Sequence, residues 1–448
     1  MLASQPASLI RGLTVNKWLV AALVVLALLV LIAPGIVGRL AEQNIEENID
    51  WAESDSPGVN IRTESFERGW FTSVGRHRVV LEGGQFAEFS GEYRDATGHP
   101  ELPSLLINTE MAHGPLPGGS LSPGLANTVS TFQVDPGNGE LIELPGTLTS
   151  KVGLAGDSDS TLLLEAGSFE HEGATIEWQG VDMNIVSNPG PGMVSVDGEI
   201  KPWTITDGDS SVNISAITIT ADQVRSDYGF SVGTVNVEMG KIEVIENGAP
   251  FSIDGMSISG ETSINGDRVN AQSTIAMNTM TLPVVGDVSL DIDFNLEGAD
   301  ATAAAAIGAA LQNAQSSADP EAALANLYPE IEDDLGVLLG KGFSMNLDKL
   351  NISLPQGTVS SALEITLPEN DAAGPVDWGS VLLQMSGKLD VRIPGAIYQM
   401  AAMLSPEAGQ MIAMGILVED GEDYVLSAEY AQGLFNVNGA PMPIPLPQ

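Results

Sequence analysis

A two-residue alternation dominates this chain and limits what it can fold into. In "VSLDIDFNLEG", Val288, Leu290, Ile292, Phe294 and Leu296 fall on one side, and Ser289, Asp291, Asp293, Asn295 and Glu297 on the other. Successive strand side chains point to opposite faces, so this is a strand with one apolar and one wet face. The same rhythm recurs in "TIEWQGVDMNIV", "SVNISAITIT", "GTVNVEMGKIEVIE" and "ALEITLPE". In "NISAITIT" the phase slips between Ile214 and Ile217, which predicts a bulge or bend.

Turn dipeptides punctuate the runs. Asp197–Gly198, Asn247–Gly248, Asp254–Gly255 and Asn265–Gly266 supply the positive φ angles of tight hairpins. The pattern predicts a mainly β protein built as a long antiparallel meander. A curled sheet, a sandwich or a barrel-like closure would each hide the apolar face, and the sequence leaves the three open. No strict internal repeat accompanies the rhythm.

Helical spacing interrupts it twice. "ATAAAAIGAALQNAQSS" is rich in alanine, the strongest helix former. Asp319 and Pro320 then open a second segment, in which Leu324, Leu327, Ile331, Leu335 and Leu338 share one face up to Gly340. This predicts a helical hairpin over 299–343 that covers an apolar sheet face. The other insertion, about 394–418, is split by Ser405 and Pro406. The overall class is therefore α+β.

The N-terminus carries a further signal. From Trp18 to Gly38 there is no charge for 21 residues, with Arg11 and Lys17 before the run. A helix of ~20 apolar residues crosses the hydrocarbon core. The expected anchor is 18–38, with Trp18 and Leu19 at one end and Leu31 and Ile32 at the other. The basic flank leaves 1–17 in the cytoplasm and the body outside. A cleaved signal peptide is the competing reading; the long run and the absence of an Ala-x-Ala site favour the anchor. Beyond it, the sequence divides into a β-rich region 39–298, the hairpin 299–343, and a β-rich region 344–448.

Charge excludes partners more clearly than it names them. The chain has 17 Lys and Arg against 59 Asp and Glu, a formal charge of −42. Phosphate binding needs clustered Lys and Arg, so nucleic acid is not an expected partner. The acidity also fits a protein kept soluble in high salt. There is no cysteine, which excludes disulfides, thiolate metal sites and a Cys nucleophile.

No constellation points to catalysis. "GFSVG" (Gly229–Gly233) matches a nucleophile elbow, but a strand pattern follows it and no His occurs after His171. "DGDSSVNISAIT" lacks the Gly and the terminal Glu of a calcium loop. "GVLLGKG" lacks the spacing of a phosphate loop. His77, His99, His113 and His171 show no metal-ligand spacing. No enzyme and no cofactor are expected.

Two clusters remain as candidate sites. Arg68, Arg76 and Arg78 gather beside Trp70 and Phe71 in "SFERGWFTSVGRHRVVLEGG". In one reading the arginines pair with carboxylates and the aromatics pack as core; in the other the window contacts lipid headgroups or a partner. Frequent Arg pairing and the usual burial of Trp favour the first. Met400, Met403, Met411 and Met414 crowd the second helical insertion, where they could line or lid an apolar groove.

Three stretches resemble one family. "FERGWFTS" follows the anchor, "MAHGPLPGG" spans Met111–Gly119, and "DYVLSAEYAQGLFNVNGAPMP" lies near the end. Together they resemble the YdgA-like family of bacterial envelope proteins, which carries a domain of unknown function. The resemblance implies a singly anchored inner-membrane protein with its body in the periplasm, and it brings no catalytic residues. The plan is also similar to AsmA-like envelope proteins linked to lipid traffic. The expected role is binding or scaffolding, with a lipid-like ligand or an envelope protein as partner. A purely structural protein with a closed core is the alternative.

Overall fold

A computed structural model describes residues 58–442, apart from 83–89, 92, 95–100, 120–121, 138, 140, 172, 189–191, 247–248, 283–285, 316, 318–319, 371–375, 377 and 405. The proposed anchor and its residues Trp18, Leu19, Leu31 and Ile32 lie outside the described residues, as do His99, Asn247–Gly248 and Asp319. Among the described residues, no helix is long and apolar enough to cross a membrane. The chain divides into an N-terminal unit, up to Gly190 with Ile200–Val212, and a C-terminal unit, Pro191–Glu199 with Asn213 onward.

The N-terminal unit is a meander of alternating strands. These are β1 (Val59–Arg68), β2 (Thr72–Leu81), β3 (Ser104–His113), β4 (Ala126–Asp135), β5 (Ile142–Val152), β6 (Ser158–Leu164), β7 (Gly167–His171), β8 (Ala174–Trp178) and β9 (Val181–Asn188). β10 (Met193–Ile200) belongs to the C-terminal unit but for its last residue; β11 (Trp203–Asp207) and β12 (Ser210–Ile214) follow. Strands β1 to β6 pair in sequence and β6 then pairs with β9. The β7–β8 hairpin stands outside that order, with β8 paired to β11.

The alternation here resolves into full burial. β6 buries Ser158, Ser160, Leu162 and Leu164, and β9 buries Val181, Met183, Ile185 and Ser187, with the intervening residues exposed or half-exposed. Trp178 and Trp203 are buried and stacked, with ring centroids 5.6 Å apart. The buried face also carries hydroxyls that satisfy one another: Thr109 with Ser130 at 2.7 Å, Ser150 with Ser160 at 2.8 Å and Ser158 with Ser187 at 2.8 Å. Buried polar groups without such partners are costly.

The C-terminal unit has longer strands. They are β13 (Ile217–Arg225), β14 (Ser231–Glu246), β15 (Ala249–Asn265), β16 (Arg268–Leu282), β17 (Gly286–Asp300), β18 (Phe343–Leu354), β19 (Gly357–Leu367), β20 (Ser386–Pro394), β21 (Val418–Asp420), β22 (Asp423–Ala431), β23 (Leu434–Val437) and β24 (Ala440–Met442). β13 to β20 pair consecutively and antiparallel, β20 continues to β22, and β22 to β23 and β24. Among the described residues no pairing joins β13 to β22, β23 or β24, so this unit's sheet is open and not a closed barrel.

Among the described residues of the C-terminal unit, α-helices enter at three connections: α1 (Ala301–Gln315), α2 (Pro320–Ala325) and α3 (Tyr328–Lys341) between β17 and β18, α4 (Trp378–Gln384) before β20, and α5 (Gly395–Leu404) with α6 (Pro406–Ala413) after it. The expected second helix of the hairpin is broken into two, because Pro329 occupies the first turn of α3 and cannot continue a helix from α2. α4 was not anticipated from periodicity.

The turn dipeptides sort by context. Asn265–Gly266 does make the β15–β16 hairpin, with Gly266 at φ +68°. Asp197–Gly198 lies within β10 instead. Asp254–Gly255 lies within β15, where Gly255 takes φ +65° and Asn278 lies over it, so that a Cβ would come 2.1 Å from the Asn278 amide nitrogen. The register is the same before and after Gly255 on both neighbouring strands, so that glycine relieves a close approach within a paired strand and makes no turn. The phase slip after Ile214 is a real break: Ser215 and Ala216 leave the strand, and Ser215 N–H donates to the Lys241 carbonyl at 2.7 Å.

Candidate functional site

Strand register assembles the apolar halves of the C-terminal strands into one continuous face. One row runs Ile219, Val237, Ile258, Ile275, Ile292 and Leu350 across β13 to β18. The next runs Ile217, Met239, Met256, Met277, Leu290, Ile352 and Val359 across β13 to β19. Further along the strands, Phe294, Leu347, Leu363, Leu389, Ala428 and Val437 carry the face to β23. With strands ~4.8 Å apart, the first row alone spans ~24 Å.

This face is not closed as a core. Ile219 and Ile217 at one side are buried, but Ile258 is 37% exposed and Ile352 36%, and the residues between them are half-buried. The N-terminal strands with the same alternation bury the equivalent side chains almost completely. The difference is one of cover. Near the β15–β16 hairpin, Leu338 of α3 and Ala304 of α1 pack, with Ile264 and Leu296 of the sheet, against a buried cluster of Val269, Ala299 and Ala301. At the other side Tyr398 of α5 meets Tyr424 of β22, with ring centroids 4.2 Å apart. Among the described residues, the face between these supports has no second layer.

Arg268 ties the first support to the sheet. Its guanidinium donates to the carbonyls of Gly298 at 2.8 Å, Lys341 at 2.7 Å and Gly342 at 3.1 Å, which holds the end of α3 to the end of β17. Sequence reasoning missed this residue; it reads as one more hairpin cation.

The opposite, wet face holds paired charge. A depression of about 440 Å³ there is lined by Lys349, Asn351, Ser360, Asp390, Arg392 and Ser427, among others. Lys349 pairs with Asp291, and Arg392 pairs with Asp420 at 2.6 Å and Asp423 at 2.9 Å. Its cations are already engaged by carboxylates.

Of the four methionines singled out from sequence, Met400 and Met403 lie on α5, Met411 on α6 and Met414 just after it. Met403 and Met414 are largely exposed, and Met400 and Met411 partly so; Ile397 and Tyr398 are the buried members of α5. The methionines on the open face are Met239, Met256, Met277, Met280 and Met345. They fall in plain strand alternation, and only the pairing register shows that they gather.

The arginine window divides into two parts. Glu64 is the extra residue of a bulge in β1, between Thr63 paired with His77 and Ser65 paired with Arg76. It meets Arg76 at 3.0 Å and Arg78 at 2.6 Å. Arg78 also donates to Ser104 at 2.5 Å and to the buried Asp135 at 3.0 Å. Burial would lower the Arg78 pKa, but Glu64 and Asp135 outweigh it and raise it. His77 is buried against Thr63, and burial lowers its pKa. Within this part, Arg76, His77 and Arg78 are engaged by partners of their own sheet. Trp70 and Phe71, by contrast, are 94% and 70% exposed at the β1–β2 turn, and Arg68 is exposed beside them. The core role expected of the aromatics is therefore corrected: the turn carries them beyond the sheet.

The remaining motifs take ordinary places. Ser231 of "GFSVG" opens β14, giving strand, turn and strand where an elbow needs a helix. Gly208 and Asp209 form the turn between β11 and β12. Among the described residues, no group of three or more His, Cys, Asp or Glu converges as a metal site would require.

The family described as bacterial protein of unknown function (DUF945) matches residues 15–445, and the chain belongs to it. The chain is also similar to Protein YdgA of Escherichia coli (strain K12), 22% identical over 302 residues, which are 59% of this chain and 56% of that relative. The match thus spans little more than half the length of that curated relative. No solved structure matches.

Proposed function

We propose that this protein is a non-enzymatic, singly anchored protein of the bacterial cell envelope that holds the acyl part of a lipid-like ligand on the open face of its C-terminal sheet. The apolar run Trp18–Gly38 anchors it in the inner membrane, and the body occupies the periplasm. The single observation behind the binding role is the half-exposed row Val237, Ile258, Ile275, Ile292 and Leu350.

Water contact on such side chains is unfavourable, and covering the remaining surface of each gains on the order of 0.5–1 kcal/mol. The ~24 Å row exceeds the ~15 Å that one acyl chain spans in half a bilayer core, so an extended chain fits along it. Methionines in the adjacent row offer a soft surface that accommodates chains of different shape. The face has no acid or base along these rows, so it provides no chemistry on the ligand. This supports carriage or scaffolding over catalysis.

The test is lipid extraction from the full chain, purified in detergent and exchanged until bulk lipid is removed. The expected result is a retained lipid at a fixed ratio, lost in an Ile275→Asn, Ile292→Asn variant that keeps its thermal transition. A lipid-free chain, or equal lipid in both, contradicts the reading and favours a scaffold whose face is covered by a protein.

A further inference from the structure

We infer that the turn end of the N-terminal sheet is a second lipid contact, in which three adjacent turns dip their apolar tips into the membrane interface. The antiparallel meander brings the β1–β2, β3–β4 and β5–β6 connections to one end of the sheet. Backbone bonds lace them side by side, His113 N–H to Phe71 O at 2.8 Å and Leu125 N–H to Val152 O at 2.9 Å, while Gly114 N–H to Leu125 O at 3.1 Å closes the middle connection. Each connection presents large apolar side chains to solvent: Trp70 and Phe71 on the first, Leu116 and Leu125 on the second, and Leu154, 62% exposed, on the third.

In a chain of net charge −42, Met111 to Val134 contains no Asp, Glu, Lys or Arg, nor do Gly69 to Gly75 or Val152 to Gly156. The nearest flanking charges are Arg68, Lys151 and Asp157, behind the tips. Acidic chains are otherwise held away from lipid headgroups, so an apolar end whose three connections hold one acid, Asp157 at the foot of β6, is the part of this unit that can approach them. Trp at an apolar tip is the residue type that settles at the membrane interface. Exposed apolar groups on separate turn tips suit a deformable lipid surface better than a flat protein partner.

The tether permits this approach. Twenty residues lie between Gly38 and Val59, and that length reaches at most ~70 Å. β1 starts at the opposite end and returns ~33 Å to the tips, well within that reach. The inference rests on the anchor of the proposed function, but not on the ligand role of the C-terminal face.

The chain has no cysteine, so one introduced at Leu154 or at Glu165, the exposed position at the opposite end of β6, carries a fluorophore alone. The full chain is placed in vesicles of phosphatidylcholine and phosphatidylethanolamine with brominated acyl chains, and flotation reports the anchor separately. At Leu154→Cys the emission is expected to shift to the blue and be mostly lost to bromine, while Glu165→Cys is unaffected. Adding Trp70→Ser and Phe71→Ser returns the 154 label to water without changing flotation. A floating chain whose 154 label stays in water overturns the inference alone; a chain that does not float overturns the anchor with it. A label shielded from water but untouched by bromine also overturns it and assigns the tips to a protein contact.

Discussion

Arg78 reaches from β2 to the buried carboxylate of Asp135 on β4, at 3.0 Å, and so crosses the intervening strand β3. The other oxygen of Asp135 accepts the N–H groups of Gly137 and Gly139 at 2.9 and 3.0 Å. Removing the arginine strands a buried charge, which typically costs ~3–5 kcal/mol. Arg78→Ala should therefore lower the denaturant midpoint markedly, by about 3 kcal/mol of stability. Arg62→Ala and Arg68→Ala, at exposed positions, should stay within ~0.5 kcal/mol.

His77 predicts a pH dependence. Its folded pKa is lowered from 6.5 by burial, so the unfolded chain takes up a proton at a pH where the folded one does not. Stability from this residue is complete above pH 6.5 and declines as pH falls from there toward the lowered folded value. His77→Gln should flatten that part of the curve. Denaturation midpoints between pH 7.5 and 5.5 check it; parallel curves would contradict it.

The two tryptophan environments should behave oppositely. Trp203→Ala removes a buried ring stacked on Trp178 and should cost ~3–5 kcal/mol. Trp70→Ser should be neutral to about 0.5 kcal/mol, because its ring contributes almost nothing to the core. Thermal unfolding of the two variants separates core from surface aromatics.

Arg268 supports three carbonyls at the end of the helical insertion. Hydrogen bonds to a charged group contribute ~1.5–3 kcal/mol, so Arg268→Met should cost about 2–3 kcal/mol. Hydrogen exchange should rise first in α3 and at the end of β17. Protection lost uniformly over the unit would contradict the local role.

Much of this architecture is legible in the sequence because strand alternation is local. The run from Val288 to Leu296 falls as its spacing requires, and Asn265–Gly266 turns as expected. What is not local is not legible. Asp254–Gly255 carries the same dipeptide signal, yet pairing on both sides keeps it in a strand. Trp70 and Trp178 are the same residue type, and only the tertiary fold exposes one and buries the other. The gathering of Met239, Met256 and Met277 depends on register across three strands, which no single segment encodes. Glu64 joins Arg76 to Arg78 through a bulge whose trace, the step from Val59 and Ile61 to Phe66, does not say which partners the extra residue meets.

Site-specific photocrosslinking in the full chain distinguishes an open face that holds acyl chains from one covered by protein. A benzophenone side chain is placed at Ile275 or Ile292 on the apolar face, and at Thr274 or Asp293 on the wet face of the same strands. Illumination in the native membrane, followed by mass analysis of the purified chain, should give lipid-sized adducts at 275 and 292 and none at 274 and 293. Adducts of protein size at 275 and 292, or lipid adducts equal on both faces, would contradict it.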